Sequence, residues 1–404
     1  MVSAQYNPIL PEVLADPYPY YKLLREEDPV HWSEALDAWV LTRYDDVVAV
    51  LKDLRFSADR RGARNRFVQQ AEATAEEYGP IGRANTMLTS DPPEHTRLRL
   101  LVSKAFLPRN VERLRPHVQD IADELLDATP KPGQLDILMD FAYPLPVIVI
   151  AELMGVPTED RAQFKRWSDD IVATLGGASA TPELVERAAK SGREIVDYFR
   201  DVVADRRRKP KEDLVTVLVE AADEGDVLSE PQLLATCVTM LIAGNETTRN
   251  LIANGMLALL RHPSQLERLW NAPSLAGTAV EELLRFAGPV QCTSRVATED
   301  IEVGGKTVEK GQVVFTMLAA ANRDPAHFED PERLDIGRKE NHHVAFGFGI
   351  HACLGQPLAR LEAQVAFDTL ARRIREPRLT VDQPEWGPSF ILRGLKRLPI
   401  TYAA

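Results

Sequence analysis

A single cysteine carries most of the chemistry that this sequence can do. Cys353 sits in NHHVAFGFGIHACLGQPLARLE, residues 341–362, with glycines at 347, 349 and 355 around it. After it, Leu354, Leu358 and Leu361 recur at three- and four-residue steps, the spacing of a helix. A glycine-rich loop thus delivers one thiol to the start of a helix, where the dipole and free N–H groups favour the thiolate. Such a thiolate suits a nucleophile or an axial metal ligand. An isolated cysteine is most often a small buried hydrophobe, but here three glycines, Phe346 and His351 crowd the same ten residues.

Three further stretches carry charge where helices are expected. In Ser90-Asp91-Pro92-Pro93-Glu94-His95-Thr96-Arg97-Leu98-Arg99, Asp91 reads as an N-cap and the prolines as a first helical turn. His95 and Arg99, four apart, share one helix face and can hold an anion such as a carboxylate. In Leu241-Ile242-Ala243-Gly244-Asn245-Glu246-Thr247-Thr248, a glycine and an acid interrupt an apolar helix. Gly244 costs about 1 kcal/mol against Ala in a helix, and a buried Glu246 is costly without partners or work. Glu282 and Arg285, three apart amid Leu283, Leu284 and Phe286, can form a buried bidentate pair.

The elements that must position these groups follow from periodicity and punctuation. One long helix is expected over 229–262, capped by Ser229, with Pro231 in its first turn and His262-Pro263 at its end. Its roughly 50 Å would cross a domain. Other helices are expected at 17–27, 45–52, 109–130, after Pro146 and at 158–175, 182–208 and 275–290. A Gly176-Gly177-Ala178-Ser179 turn divides the fifth and sixth of these. Strands are expected at 29–32, 38–42, 290–296, 301–303, 307–308, 313–315, 377–381 and 389–402, with a hairpin turn at Gly304-Gly305. Residues 57–90, with Arg60, Arg61, Arg64 and Arg66, read as an irregular polar loop.

Composition sets bounds. The 404 residues, 45% hydrophobic and 27% charged, are ordinary for a globular chain with a large core. No linker or repeat divides them, so one large domain is expected. Three cysteines, Cys237, Cys292 and Cys353, are too few and too scattered for a disulfide framework, zinc site or iron–sulfur cluster, and imply a reducing cytoplasm. The N-terminus has no basic-then-apolar leader, and the longest apolar run, 233–243, is shorter than the ~20 residues a bilayer needs. No membrane anchor is expected. A net charge of −12 argues against nucleic acid.

Phe346-Gly347-Phe348-Gly349-Ile350-His351-Ala352-Cys353-Leu354-Gly355 resembles the haem-thiolate signature of the cytochrome P450 family, with every fixed position filled. DPPEHTRLR resembles that family's haem-propionate helix. AGNETT resembles its oxygen-activating segment, with Glu for the commoner Asp. Glu282, Arg285 and the Arg333 of Pro331-Glu332-Arg333 resemble its structural trio, although Leu334 stands where an aromatic is common. The resemblance runs in order from residue 91 to about 400. It implies a mainly α fold with small β-sheets, a single domain over 1–404, and a long central helix over haem b (iron protoporphyrin IX).

On that resemblance Cys353 is the proximal metal ligand, whose thiolate favours O–O cleavage. Phe346, Gly347 and Gly355 shape the backbone beside the porphyrin. His95, Arg99, Arg295 and His351 hold the propionates, and Ala243 and Gly244 leave room for O2 and substrate. Thr247 donates a hydrogen bond to dioxygen, and Glu246 relays protons from solvent. Met87, Leu88, Val290, Thr293, Phe390 and Ile391 are expected to line the substrate pocket. The implied reaction is monooxygenation of a hydrophobic small molecule by a cytoplasmic, bacterial-type monomer. Electrons would come from a separate ferredoxin and its NAD(P)H-dependent reductase. Lys104, Arg109, Arg113 and Arg115 would dock an acidic ferredoxin if they border the Cys353 side. A peroxide-driven peroxygenase, a non-catalytic haem protein and a cysteine hydrolase remain as alternatives.

Overall fold

The longest helix runs Glu230–Arg261, 32 residues, and the main hydrophobic core is built around it. Its start is closed by a capping box: Ser229 Oγ accepts from Gln232 N–H, and the Gln232 side chain accepts from Ser229 N–H. Around it lie helices Pro144–Leu153, Pro182–Arg208, Ala276–Ala287 and Gln356–Arg373, together with a π-helical segment, Ile137–Ala142. The coordinates are a computed structural model that describes residues 6–73, 84–129, 131–174, 181–223 and 228–403. The Gly176–Ser179 turn lies outside the described residues.

Two close approaches explain glycines in this helix. A Cβ at Gly255 would stand 2.8 Å from Phe367 Cζ, and one at Gly244 would stand 2.9 Å from Ile150 Cγ1. Gly244 therefore lets the Pro144–Leu153 helix approach, which corrects its expected role of making room for O2 and substrate.

The strands form three small sheets. The largest runs Val30–Ser33, Ala38–Leu41, Val313–Thr316, Thr293–Ala297 and Phe56–Ser57 in spatial order. Only the Ala38–Leu41/Val313–Thr316 pair is parallel. The hairpin Ile301–Val303/Lys306–Val308 turns through Gly304 and Gly305 at φ +56° and +79°. The third sheet orders Gln134–Asp136, Pro399–Ala403 and Arg375–Leu379.

Departures from the sequence expectation have local causes. The helix expected over 109–130 is two, Pro108–Glu112 and Arg115–Asp127, because Pro116 has no N–H to continue the first. Helix Arg66–Ala73 stands where the sequence leads one to expect a loop; it buries no residue and so shows no core-facing stripe. Helices Leu214–Asp223 and Pro263–Asn271 were not assigned either. The last strand is only Pro399–Ala403, since at Gly394 a Cβ would fall 2.3 Å from Asn250 Oδ1. That stretch runs pressed on the central helix instead of pairing throughout. Asp91 is not the cap of the helix Glu94–Ser103. Its carboxylate accepts from the Ser57 hydroxyl and from Ala58 N–H (2.9 Å), which pins the 57–58 strand end to this helix start.

Candidate active site

Hydrogen bonds shape the cysteine loop. Gly347 N–H donates to Val344 O and Cys353 N–H to Phe346 O, both at 2.8 Å. Gly347 and Gly349 both have φ +71°, a left-handed backbone that favours glycine. A Cβ at Gly349 would also stand 2.6 Å from Leu51 O. The helix then starts at Gln356, one residue after Gly355. Arg360 on that helix lies 4.6 Å from the centroid of the Phe346 ring.

Cys353 is exposed by area yet enclosed by protein atoms, so it faces an internal cleft and not the outer surface. Burial pushes its thiol up; the N–H groups of Gly355 and Gln356 and the charges of Arg99 and Arg360 pull it back without winning. The expected helix-stabilised thiolate is corrected accordingly: the protein groups alone favour the thiol, and a bound metal cation is what would make the thiolate stable. Among the described residues no cluster of three or more His, Cys, Asp or Glu could hold a bare ion. An iron here would have to arrive with its own equatorial ligands.

The structure brings the four expected anion-binding residues to one place. The rings of His95 and His351 are 4.1 Å apart. Arg99 Nη2 donates to Ala352 O at 2.7 Å, which fixes the His95 helix to the cysteine loop. Arg295 donates to Ser294 O at 2.8 Å and is electrostatically coupled to both histidines. Burial holds every member below its ordinary pKa, and neighbouring cations add to this at His95, His351 and Arg295: His351 falls to about 4 and Arg295 to about 10. Asp91 is the carboxylate that opposes this at His95, His351 and Arg295. Neither ring nitrogen of His95, nor Nε2 of His351, has a hydrogen-bond partner, although all three are buried. Orphaned buried donors cost free energy. A cluster of them with one sign of charge fits a pair of carboxylates, and so fits the propionates of a haem.

The central helix presents the second face. Most of its residues are buried, but Ala243 is exposed and Thr247 partly so, one turn apart in mid-helix. They form an accessible strip in mid-helix. Thr247 Oγ1 donates to Ala243 O at 2.9 Å. Glu246 is buried; its Oε1 accepts from Arg249 (2.7 Å) and Asn250 (3.1 Å), while Oε2 has no partner. Burial pushes its carboxyl up, against the pull of Arg249 and Asn250. Arg249 also donates to Asp169 at 3.0 Å, and Asp169 is partly exposed.

Glu282 and Arg285 meet in two parallel hydrogen bonds of 2.8 Å, both side chains fully buried. Arg285 also donates to the carbonyls of Asn322, Pro331 and Arg333. The second cation on Glu282 is Arg338, through Nε at 3.1 Å, and not Arg333 as expected. The Arg333 side chain lies at the surface with Asp330 and Asp335, and only its carbonyl joins the network.

The expected pocket residues scatter. Met87 packs in the main core, Phe390 in a separate cluster with Phe315 and Ile391, and Leu88 is exposed. Val290 bridges to Leu392, and Thr293 accepts weakly from Arg295 at 3.4 Å. A cleft of about 640 Å³ lies elsewhere, between Tyr18, Arg261, Phe286 and Trp386, and contains no site residue. Sequence reading missed Asp91 as a member of the cluster, Arg338, and Glu362. Glu362 is fully buried with both oxygens unpartnered, and burial raises its carboxyl to about 8 despite nearby Thr248. Its signal was available: an acid amid Leu358, Leu361, Val365 and Phe367 on a helix that must pack inward.

Fold and site together define an α-rich protein able to hold a planar, dianionic metal cofactor beneath a long helix. The family described as cytochrome P450 matches residues 34–272 and 274–380. The polyketide biosynthesis cytochrome P450 PksS of Bacillus subtilis is 42% identical, covering 99% of both chains. The 6-deoxyerythronolide B hydroxylase of Saccharopolyspora erythraea is 40% identical, covering 95% of this chain and 96% of its own. The solved structure of myxobacterial CYP267B1 in complex with myristic acid superposes with TM-score 0.91 at 41% identity, covering 98% and 99%. The chain belongs to the cytochrome P450 family. It is a haem-dependent oxygenase enzyme, as its named relatives are. Among the described residues no helix is long and apolar enough to cross a membrane.

Proposed function

We propose that this enzyme is a haem b monooxygenase that inserts one atom of O2 into a hydrophobic organic small molecule. The observation that carries this reading is the open Ala243–Thr247 strip beside a buried acid that is tied outward to solvent. When bound through Cys353, the haem supplies the oxygen-activating chemistry. Thr247 offers a hydroxyl toward the pocket, at present returned to its own helix. Glu246, held neutral more readily by burial, can carry a proton on its unpartnered Oε2. Arg249 does not give up a proton near neutral pH. It therefore acts as a tether between Glu246 and Asp169, and Glu246 must leave it to reload from solvent.

A hydrophobic substrate agrees with the apolar neighbours of Val290, Phe390 and Ile391. The polyketide-linked relatives and the myristic acid complex point the same way. Electrons would come from a ferredoxin and its NAD(P)H-dependent reductase in the cytoplasm. Lys104, Arg109 and Arg113 are exposed with no side-chain partner among the described residues, whereas Arg115 is spent on Glu112 and Gln364. Helices Pro108–Glu112 and Arg115–Asp127 pack on the helix that follows Cys353, which supports this docking reading. The test is coupling. With such an electron chain, Thr247→Ala should lower product per NAD(P)H several-fold and raise released peroxide, because a hydroxyl that acts only in turnover has been removed. Unchanged coupling would remove Thr247 from the reaction.

A further inference from the structure

Glu281 and Glu282 are neighbours on the helix Ala276–Ala287, yet they serve different parts of the molecule. Glu282 belongs to the closed network with Arg285 and Arg338. Glu281 grips the cysteine loop from both ends. On the entry side, His343 Nε2 lies 3.1 Å from its Oε2. On the exit side, Arg360 of the helix Gln356–Arg373 donates to Oε1 at 2.7 Å and to Oε2 at 3.0 Å. One carboxylate thus straddles the segment that carries Cys353.

The protons in this clamp can be placed. Ala345 N–H donates to His343 Nδ1 at 3.2 Å, so Nδ1 is the unprotonated nitrogen and Nε2–H donates to Glu281. Burial pushes the Glu281 carboxyl up, but the hydrogen bonds and charges of His343 and Arg360 overcome it and hold it at about 2. Glu281 is therefore ionised at neutral pH, as is Arg360. The side chains of both are 30% exposed, so solvent screens the pair only in part.

Arg360 also touches two residues that hold the cysteine. Its guanidinium lies 4.6 Å from the centroid of the Phe346 ring, and the Phe346 carbonyl accepts Cys353 N–H at 2.8 Å. Its Nη1 donates to Gln356 Oε1 at 2.8 Å, at the first residue of the helix that follows the loop. Charges placed around a metal-bound thiolate tune the metal's potential. The reduced site carries one negative charge more than the oxidised one, so a nearby cation favours the reduced state and a nearby anion the oxidised state. We propose that Arg360 and Glu281 are positioning residues that set the reduction potential of the metal held by Cys353, Arg360 raising it and Glu281 orienting Arg360 while offsetting its charge. This rests on Cys353 as the haem ligand and adds the groups that tune it.

The experiment measures the ferric/ferrous midpoint potential of the holoenzyme, with the ferrous carbon monoxide spectrum recorded on each sample. Arg360→Gln should lower the potential, so that the ferrous-to-ferric ratio at a fixed poise falls about tenfold. Glu281→Gln should raise it, because Arg360 then stands unopposed. Arg360→Lys keeps the charge and should restore most of what Arg360→Gln loses. All three should keep the thiolate carbon monoxide band. Shifts of the same sign in Arg360→Gln and Glu281→Gln would overturn the proposal, since loosened packing does not follow the sign of the charge removed. So would unchanged potentials in both, or an Arg360→Lys no closer to the wild type than Arg360→Gln. Should Glu281→Gln lose the band, the two Arg360 variants decide: a fall that Lys reverses supports the proposal, and no fall overturns it. Failure of the ligand assignment is separate, because the wild type itself would then lack the thiolate band.

Discussion

Two of the clusters of buried charge in this molecule differ in one respect. Around Glu282 every charge is answered: Arg285 and Arg338 face the carboxylate, and three carbonyls take the remaining Arg285 donors. Around His95, Arg99, Arg295 and His351 the cations face one another, buried donors lack acceptors, and pKa values fall. The first cluster is complete in the polypeptide and serves the fold. The second leaves buried donors of His95 and His351 unanswered, as a site for an anionic guest would. Burial of charge alone does not separate structure from function here; the balance of partners does.

The largest effect should come from breaking the complete cluster. Arg285→Ala leaves Glu282 buried without its bidentate partner, and a loss of roughly 3–5 kcal/mol is expected. Chemical denaturation should show it with or without haem. A loss confined to the haem-loaded protein would mean that the network serves the cofactor.

Glu362 sharpens the comparison as a buried acid with no ionic partner. Its folded pKa of about 8 lies above the ordinary 4.5. The neutral form fits the core, so its contribution is full below about pH 4.5 and is lost as pH rises towards 8. Glu362→Gln should therefore stabilise the protein by about 2–4 kcal/mol at pH 8 and by almost nothing at pH 4.5. An equal shift at both pH values would show that the carboxyl does not titrate in this range.

Arg295→Gln breaks the incomplete cluster. Haem-free protein should keep its melting temperature, since the substitution removes a desolvated charge that faces other cations. Haem dissociation should become about tenfold faster, the worth of one charged hydrogen bond. A fall in apoprotein stability with unchanged haem release would reverse the assignment. The smallest effects divide Arg338 from Arg333: Arg338→Ala should cost about 1–3 kcal/mol and Arg333→Ala less than about 0.5. The opposite ranking would return Arg333 to the network.

How much of this could be read from the sequence depends on where each constraint is written. The cysteine loop was legible because left-handed backbone at 347 and 349 favours glycine, and that leaves a mark in residue type. The central helix was legible to within a residue at each end through Ser229, Pro231 and Pro263. The cation on Glu282 was not, because Arg333 and Arg338 are five residues apart on one irregular stretch. Backbone turns, not composition, decide which reaches inward. Gly244 was misread for a similar reason: a missing side chain does not say which neighbour uses the space, and here it is Ile150.

The central claim is that Cys353, held by this loop, is the thiolate ligand of the haem. The ferrous carbon monoxide spectrum of the wild type and of Cys353→Ser tests it most directly. The wild type should show the strongly red-shifted Soret band of thiolate-ligated haem and the variant should lose it, with haem still bound through the His95–Arg99–Arg295–His351 cluster. Retention of that band in Cys353→Ser would contradict it.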